Sequence, residues 1–118
     1  MNFFLHLSTC NTCKKIIKEL NLPNDVNVID IKKTPITLAQ IEKLHKKKGT
    51  YKSLINNRAQ LFKQLNIDIK KLTEEKAKQL LSDHYTFLKR PVLLYKGKVF
   101  VGNGKEEIES AKKLINEQ

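Results

Sequence analysis

Residues 2–20 read NFFLHLSTCNTCKKIIKEL and decide the fold, because an apolar run changes there into a helical pattern across two cysteines. The aromatic and apolar run at residues 2–7 is typical of a buried strand. Two hydroxyl residues interrupt this run, and isoleucines and a leucine then recur at helical spacing. The chain is therefore predicted to begin with a strand, a turn and a helix, with its cysteine pair in the turn.

The rest of the sequence completes an α/β pattern. Residues 26–31 (VNVIDI) alternate as a second strand, and the strand-helix-strand order requires parallel pairing with a right-handed crossover. Apolar runs at 91–95 and 99–101 flank a Lys-Gly turn at 96–98, which predicts an antiparallel hairpin, and a helix follows at 105–116. A mixed four-stranded sheet in the order βαβ, helical insert, ββα is a thioredoxin-like architecture.

A helical insert at about residues 37–83 is predicted between the two halves of the sheet. Thr37 starts a capping box for a helix that Gly49 ends, and Thr73 caps another helix that reaches about Ser82. Apolar residues between them indicate one or two further short helices. The length of 118 residues suits a single domain, 1–118, that carries this insert.

The cysteine pair is expected to carry chemistry. The N-terminus has no basic leader, and its apolar run is too short for a signal peptide or a membrane span, which predicts a cytoplasmic protein. In a reducing cytosol, close-spaced cysteines are redox-active or metal-binding more often than structural. A structural zinc needs four ligands, and the three histidines show no paired spacing, so no metal site is expected.

The two cysteines are predicted to have different roles. Cys10 lies at the N-terminus of the first helix, where free N–H groups and the helix dipole stabilise a thiolate, so it is the predicted nucleophile. Cys13 lies one turn later on the same face, where it can attack an adduct on Cys10 and close an internal disulfide.

The basic residues separate into two kinds. The formal net charge is +11, but the lysines are spread along the chain, which favours a solvated surface over direct binding of nucleic acid. All but two of the 23 basic residues are lysine, the exceptions being Arg58 and Arg90. Because a guanidinium grips oxyanions with a planar fork, these two are predicted to bind an anion.

Three segments together resemble the ArsC/Spx family: CNTCKK at 10–15, NRAQLF at 57–62 and LKRPV at 88–92. The similarity extends over essentially the whole chain. It implies a thiol-dependent oxidoreductase like the glutaredoxin-linked arsenate reductases. The resemblance implies that Cys10 attacks an oxyanion or an oxidised thiol, and that Arg58 and Arg90 hold the anion or stabilise the thiolate. The peptide bond before Pro91 is implied to be cis.

The resemblance also suggests the remainder of the site and its partners. Asn11, Thr12, Pro91 and Lys105 are expected to contribute to binding. No bound cofactor is implied, and glutathione, glutaredoxin or thioredoxin is the expected reductant. The stretch 100–105 lacks the arginine that these arsenate reductases carry after the last strand, and Lys105 offers only a point charge, which argues against arsenate itself.

Two alternatives use the same thiols. CxxC at this place also resembles the Spx regulators, which implies a non-enzymatic protein that binds the α subunit of RNA polymerase and is switched by a Cys10–Cys13 disulfide. The other alternative is a general redox couple with no dedicated substrate.

Overall fold

The computed structural model describes residues 1–117, and within them the chain forms four strands and five α-helices. The strands are β1 (Phe3–His6), β2 (Asn27–Asp30), β3 (Val92–Tyr95) and β4 (Lys98–Val101). The α-helices are α1 (Asn11–Leu20), α2 (Leu38–Lys48), α3 (Gln60–Gln64), α4 (Glu74–Asp83) and α5 (Lys105–Asn116). Short 3₁₀ helices occupy Lys52–Leu54 and Tyr85–Phe87.

The four strands form one sheet in the order β2-β1-β3-β4. Strand β1 pairs parallel with β2 and antiparallel with β3, and β3 pairs antiparallel with β4. The predicted mixed, thioredoxin-like sheet is therefore confirmed. In the parallel pair Phe3 lies opposite Asn27 and His6 opposite Asp30, so β1 and β2 end at the same edge of the sheet.

The sheet belongs to a compact unit made of Met1–Thr34 and the residues from Arg90 onward. Helices α1 and α5 share a core with one face of this sheet, because each helix repeats apolar residues at helical spacing. The buried members of this core are Phe4, Ile16, Leu20, Val26, Leu93, Tyr95, Ile108, Ala111 and Ile115. Burial of such side chains contributes roughly 1.5–3 kcal/mol each, and this contribution fixes α1, with the cysteine pair, against the sheet.

The hairpin between β3 and β4 is tighter than the sequence suggested. Tyr95 pairs directly with Lys98, and the two residues between them have positive φ values, 49° for Lys96 and 76° for Gly97. Two positive φ angles match the twist of a two-residue hairpin turn. The prediction that placed residue 98 in the turn was wrong, since Lys98 already belongs to β4.

The second compact unit, Pro35–Lys89, contains the predicted helical insert and extends a few residues beyond it. The Thr37 hydroxyl accepts the Gln40 N–H at 3.1 Å, and the Gln40 side chain accepts the Thr37 N–H at 2.9 Å, which confirms the capping box. Thr73 caps α4 as predicted. The isolated antiparallel bridge between Ile55 and Leu88 was not predicted. The single domain over residues 1–118 stays a prediction.

None of the helices within residues 1–117 combines the length and the apolar character that crossing a membrane requires.

Candidate active site

Cys10 lies where the turn after β1 meets the start of α1. Its backbone is extended, with φ −94° and ψ 115°, and it is the residue that caps the N-terminus of α1. Its N–H donates to the Leu7 carbonyl at 2.9 Å, and its own carbonyl accepts the Lys14 N–H at 3.2 Å. The side chain is partly exposed. The Cys10 sulfur is therefore accessible and lies at the end of the helix where backbone N–H groups are free.

The surroundings of Cys10 favour its thiolate. Partial burial raises the pKa of Cys10, but the Cys13 N–H, the Cys13 thiol, the Thr12 N–H and the positive charge of Arg90 outweigh it and lower the pKa below the usual value. Hydrogen bonds to the charged form and a nearby cation stabilise an anion in this way. The predicted role of Cys10 as nucleophile has a physical basis in this arrangement.

Cys13 has the opposite character. Its side chain is 0% exposed, and it is a free thiol. Burial, together with the hydrogen bond to Cys10 and the Cys10 charge, raises the pKa of Cys13 to about 11, although the Leu7 N–H and Arg90 lower it. Cys13 is thus held as a neutral thiol that donates a hydrogen bond to the Cys10 sulfur. Two sulfurs in hydrogen-bond contact are also placed to form a disulfide with little rearrangement.

Arg90 provides the positive charge beside both thiols. It lies two residues before β3, and its charge lowers the pKa of Cys10 and of Cys13. Its Nε and Nη1 atoms are buried and form no hydrogen bond with any protein group among residues 1–117. A buried donor without an acceptor costs free energy, and a guanidinium matches an oxyanion in shape and charge. An oxyanion is therefore the kind of acceptor that suits these two nitrogens.

The remaining predicted residues of the sheet unit have different surroundings. Asn11 and Thr12 are exposed in the first turn of α1, and the Thr12 N–H is one of the groups that stabilise the Cys10 thiolate. Pro91 is buried and follows a cis peptide bond, as the sequence implied. Lys105 is exposed at the first position of α5. The structure gives Asn11 and Lys105 no described contact with the thiols, and their binding roles stay predictions.

Arg58 lies in the helical unit. It is exposed in the loop before α3, and its N–H donates to the Asn56 side-chain oxygen at 3.2 Å. Its predicted role in holding an anion stays a prediction.

Asp30 is a residue that the sequence interpretation missed. It ends β2, and one of its carboxylate oxygens accepts the Ser8 N–H at 3.3 Å and the Lys32 N–H at 3.1 Å. The Ser8 hydroxyl, followed by these N–H groups and the charge of His6, lowers the pKa of Asp30 despite some desolvation. The sequence position of Asp30 could have indicated this role, because an aspartate at the end of a strand parallel to β1 lies near the turn that follows β1.

No group of three or more histidine, cysteine, aspartate or glutamate side chains that could hold a metal ion occurs within the part of the chain that the structure describes.

Taken together, the sheet unit places a partly exposed, stabilised thiolate and a buried neutral thiol at one end of α1, under the influence of a guanidinium whose Nε and Nη1 atoms are buried. This arrangement suits nucleophilic attack by Cys10 on an anionic or oxidised group, followed by disulfide exchange with Cys13.

Comparison with known proteins gives consistent results. The model of the ArsC family matches residues 5–111. An arsenate reductase of Neisseria meningitidis serogroup A is 29% identical over 79 residues, which are 65% of this chain and 68% of that protein.

Solved structures match over nearly the whole chain. An ArsC family related protein of Bacteroides fragilis has a TM-score of 0.75 at 26% identity, covering 93% of this chain and 97% of its own. An arsenate reductase of Vibrio cholerae has a TM-score of 0.77 at 18% identity, covering 93% and 96%, and this similarity is one of fold.

Proposed function

The chain belongs to the ArsC family, which supports a thiol-dependent oxidoreductase, and we propose that its Cys10 thiolate reduces an oxyanion or an oxidised thiol held by Arg90. The observation that carries the proposal is the pairing of a stabilised Cys10 thiolate with two buried guanidinium nitrogens that have no protein acceptor among residues 1–117. An anion bound to these nitrogens satisfies both donors and brings its central atom toward the sulfur.

The first step is nucleophilic attack by Cys10. With a disulfide substrate, the thiolate forms a mixed disulfide with one sulfur and expels the other as a thiolate. With an oxyanion, the thiolate displaces hydroxide and forms a bond from sulfur to the central atom. The Arg90 guanidinium offsets the negative charge that collects at the reacting group.

The second step is attack by Cys13 on the Cys10 sulfur. This attack forms the Cys10–Cys13 disulfide and breaks the bond between Cys10 and the substrate. The substrate sulfur leaves as a thiolate, or the central atom of the oxyanion keeps the electron pair of the broken bond and is reduced by two electrons. Cys13 must first lose its proton, which its raised pKa of about 11 opposes while Cys10 is a thiolate. Once Cys10 is bonded to substrate, its negative charge is gone and one cause of that raised pKa disappears with it. Burial, the largest cause, remains, so formation of the adduct eases the loss of the Cys13 proton without removing the opposition to it.

Two reducing equivalents must then restore the thiols. A dithiol protein such as glutaredoxin or thioredoxin, or two molecules of glutathione, can supply them by exchange at the partly exposed Cys10 sulfur. The absence of an arginine in residues 100–105 favours an oxidised thiol over arsenate as the substrate.

A trapping experiment tests the proposal. Oxidised glutathione should convert the Cys13→Ser variant into a stable mixed disulfide at Cys10, whereas the wild type should proceed to the internal disulfide and release glutathione. Peptide mass spectrometry distinguishes the two products. A mixed disulfide that accumulates equally in both proteins would show that Cys13 does not resolve the adduct.

The regulator alternative rests on the same contact between the two thiols. It predicts the internal disulfide under mild oxidant, no turnover of any substrate, and a change of affinity for the α subunit of RNA polymerase when the disulfide forms. Turnover that requires Cys10 would exclude it as the sole function.

A further inference from the structure

A carboxylate oxygen of Asp30 links the turn that carries Cys10 to the neighbouring strand. Oδ1 of Asp30 accepts the Ser8 N–H from the turn after β1 and the Lys32 N–H from the segment after β2. Both bonds lie at the edge where the two parallel strands end together. One atom therefore joins the Cys10 turn to the end of β2.

The segment that Asp30 holds is short, so the hydrogen bond between Ser8 and Asp30 affects the position of the Cys10 sulfur. Only residues 7–10 separate the end of β1 from the start of α1. Within this segment the Cys10 N–H donates to the Leu7 carbonyl at 2.9 Å, and Ser8, bonded to Asp30, lies between these two residues. The Cys10 sulfur accepts hydrogen bonds from the N–H groups of Thr12 and Cys13. Because only two peptide units separate Ser8 from Cys10, a displacement of Ser8 also moves the Cys10 sulfur relative to these N–H groups.

The Asp30 carboxylate is also held firmly in place. Its backbone carbonyl accepts the N–H groups of Lys33 and Thr34, at 3.1 and 2.9 Å, and its side chain is partly buried. The residue after it, Ile31, is 1% exposed and donates its N–H to the His6 carbonyl at 2.9 Å. The carboxylate thus projects from a rigid strand end and can set the position of the turn.

We infer that Asp30 is a positioning residue for the nucleophile, acting through Ser8 to hold Cys10 in the geometry in which backbone N–H groups stabilise its thiolate. The inference rests on the proposed function only in taking Cys10 as the reactive thiol. What matters is the acceptor oxygen rather than the negative charge, since a carboxylate near Cys10 would by itself disfavour a second anion. Asparagine at this position keeps an acceptor oxygen, and alanine keeps none.

The test is the pH profile of Cys10 alkylation by iodoacetamide, which needs no substrate and so stays informative if no turnover is found. Asp30→Ala should slow alkylation at pH 7 by about 3- to 10-fold and move the midpoint of the profile to higher pH, because a weakened hydrogen bond to a charged group has an effect of this order. Asp30→Asn should restore most of the rate. Mass spectrometry confirms that Cys10 is the residue modified.

Matched variants separate positioning from stability. Asp25→Ala removes an exposed carboxylate before the other end of β2, where it accepts only a bond from the Asn2 side chain among its described contacts, and should leave the profile unchanged. If Asp30→Ala does not fold, Asp30→Ser replaces it, because a serine hydroxyl reaches Lys32 two residues on but not Ser8 across the strands. A folded Ala or Ser variant with an unchanged midpoint, or an Asn variant as slow as the Ala variant, would overturn the inference.

Discussion

Iodoacetamide at pH 7.0 should alkylate Cys10 at least about ten times faster than Cys13 in the native protein. With a pKa of about 11, Cys13 has a thiolate fraction of ~0.01% at this pH. Cys10, whose pKa lies below the usual 9.0, has a fraction above ~1%, a difference of about 100-fold. The more basic thiolate is intrinsically the more reactive by roughly 8-fold for two pKa units, which leaves a ratio of about ten. The complete burial of Cys13 raises this ratio further.

The assay uses the wild-type protein with less than one equivalent of reagent, followed by peptide mass spectrometry to locate the label. This design avoids removing either thiol, each of which contributes to the pKa of the other. The same experiment in concentrated urea is the control, because unfolding removes the burial and the hydrogen bonds and both cysteines should then react at similar rates. Similar labelling of both cysteines in the native protein would refute the assignment of nucleophile and buried partner.

Three further predictions concern single groups. The free energy of unfolding should fall by about 2 kcal/mol between pH 9 and 11 in the wild type relative to Cys13→Ala, because the unfolded chain loses the Cys13 proton first; paired urea titrations across this range measure the difference, and parallel curves would contradict it. Thr37→Ala should lower the free energy of unfolding by about 1 kcal/mol through loss of the cap on α2, as urea titration at pH 7 would show, and an unchanged midpoint would mean that the cap contributes nothing. Arg90→Gln should shift the Cys10 alkylation profile to higher pH, since it removes one of the groups that lower this pKa; a profile that stays in place would show that the helix N–H groups suffice.

The main elements of the fold could be predicted because local patterns and tertiary packing agree in this chain. The capping box at Thr37, the positive φ of 86° at Gly49 and the Lys96-Gly97 turn are local features that leave few alternatives. The bridge between Ile55 and Leu88 could not be predicted. It joins residues far apart in sequence within an otherwise helical segment, and the hydrophobic periodicity of the sequence does not indicate such a pair.

The residues of the candidate site that could be predicted are those of types that are rare in this sequence. Cys10, Cys13 and Arg90 each belong to a residue type that this sequence uses twice, and the structure brings these three together. Asp30 escaped notice because aspartate at the end of a strand is common, and its importance appears only once the parallel register places it beside Ser8. The opposed pKa shifts of the two thiols likewise depend on burial, which spacing alone does not reveal.

The most direct test of the central claim is steady-state reduction of a small disulfide and of arsenate by the purified protein with glutathione, glutaredoxin and a glutathione-regenerating system. Wild type, Cys10→Ser and Arg90→Lys are compared, the last keeping the charge but losing the fork. We expect turnover of at least one substrate, its complete loss with Cys10→Ser and a decrease of roughly 10- to 100-fold with Arg90→Lys. Turnover that survives Cys10→Ser, or no turnover of either substrate by the wild type, would mean that Cys10 is not the nucleophile of a reductase.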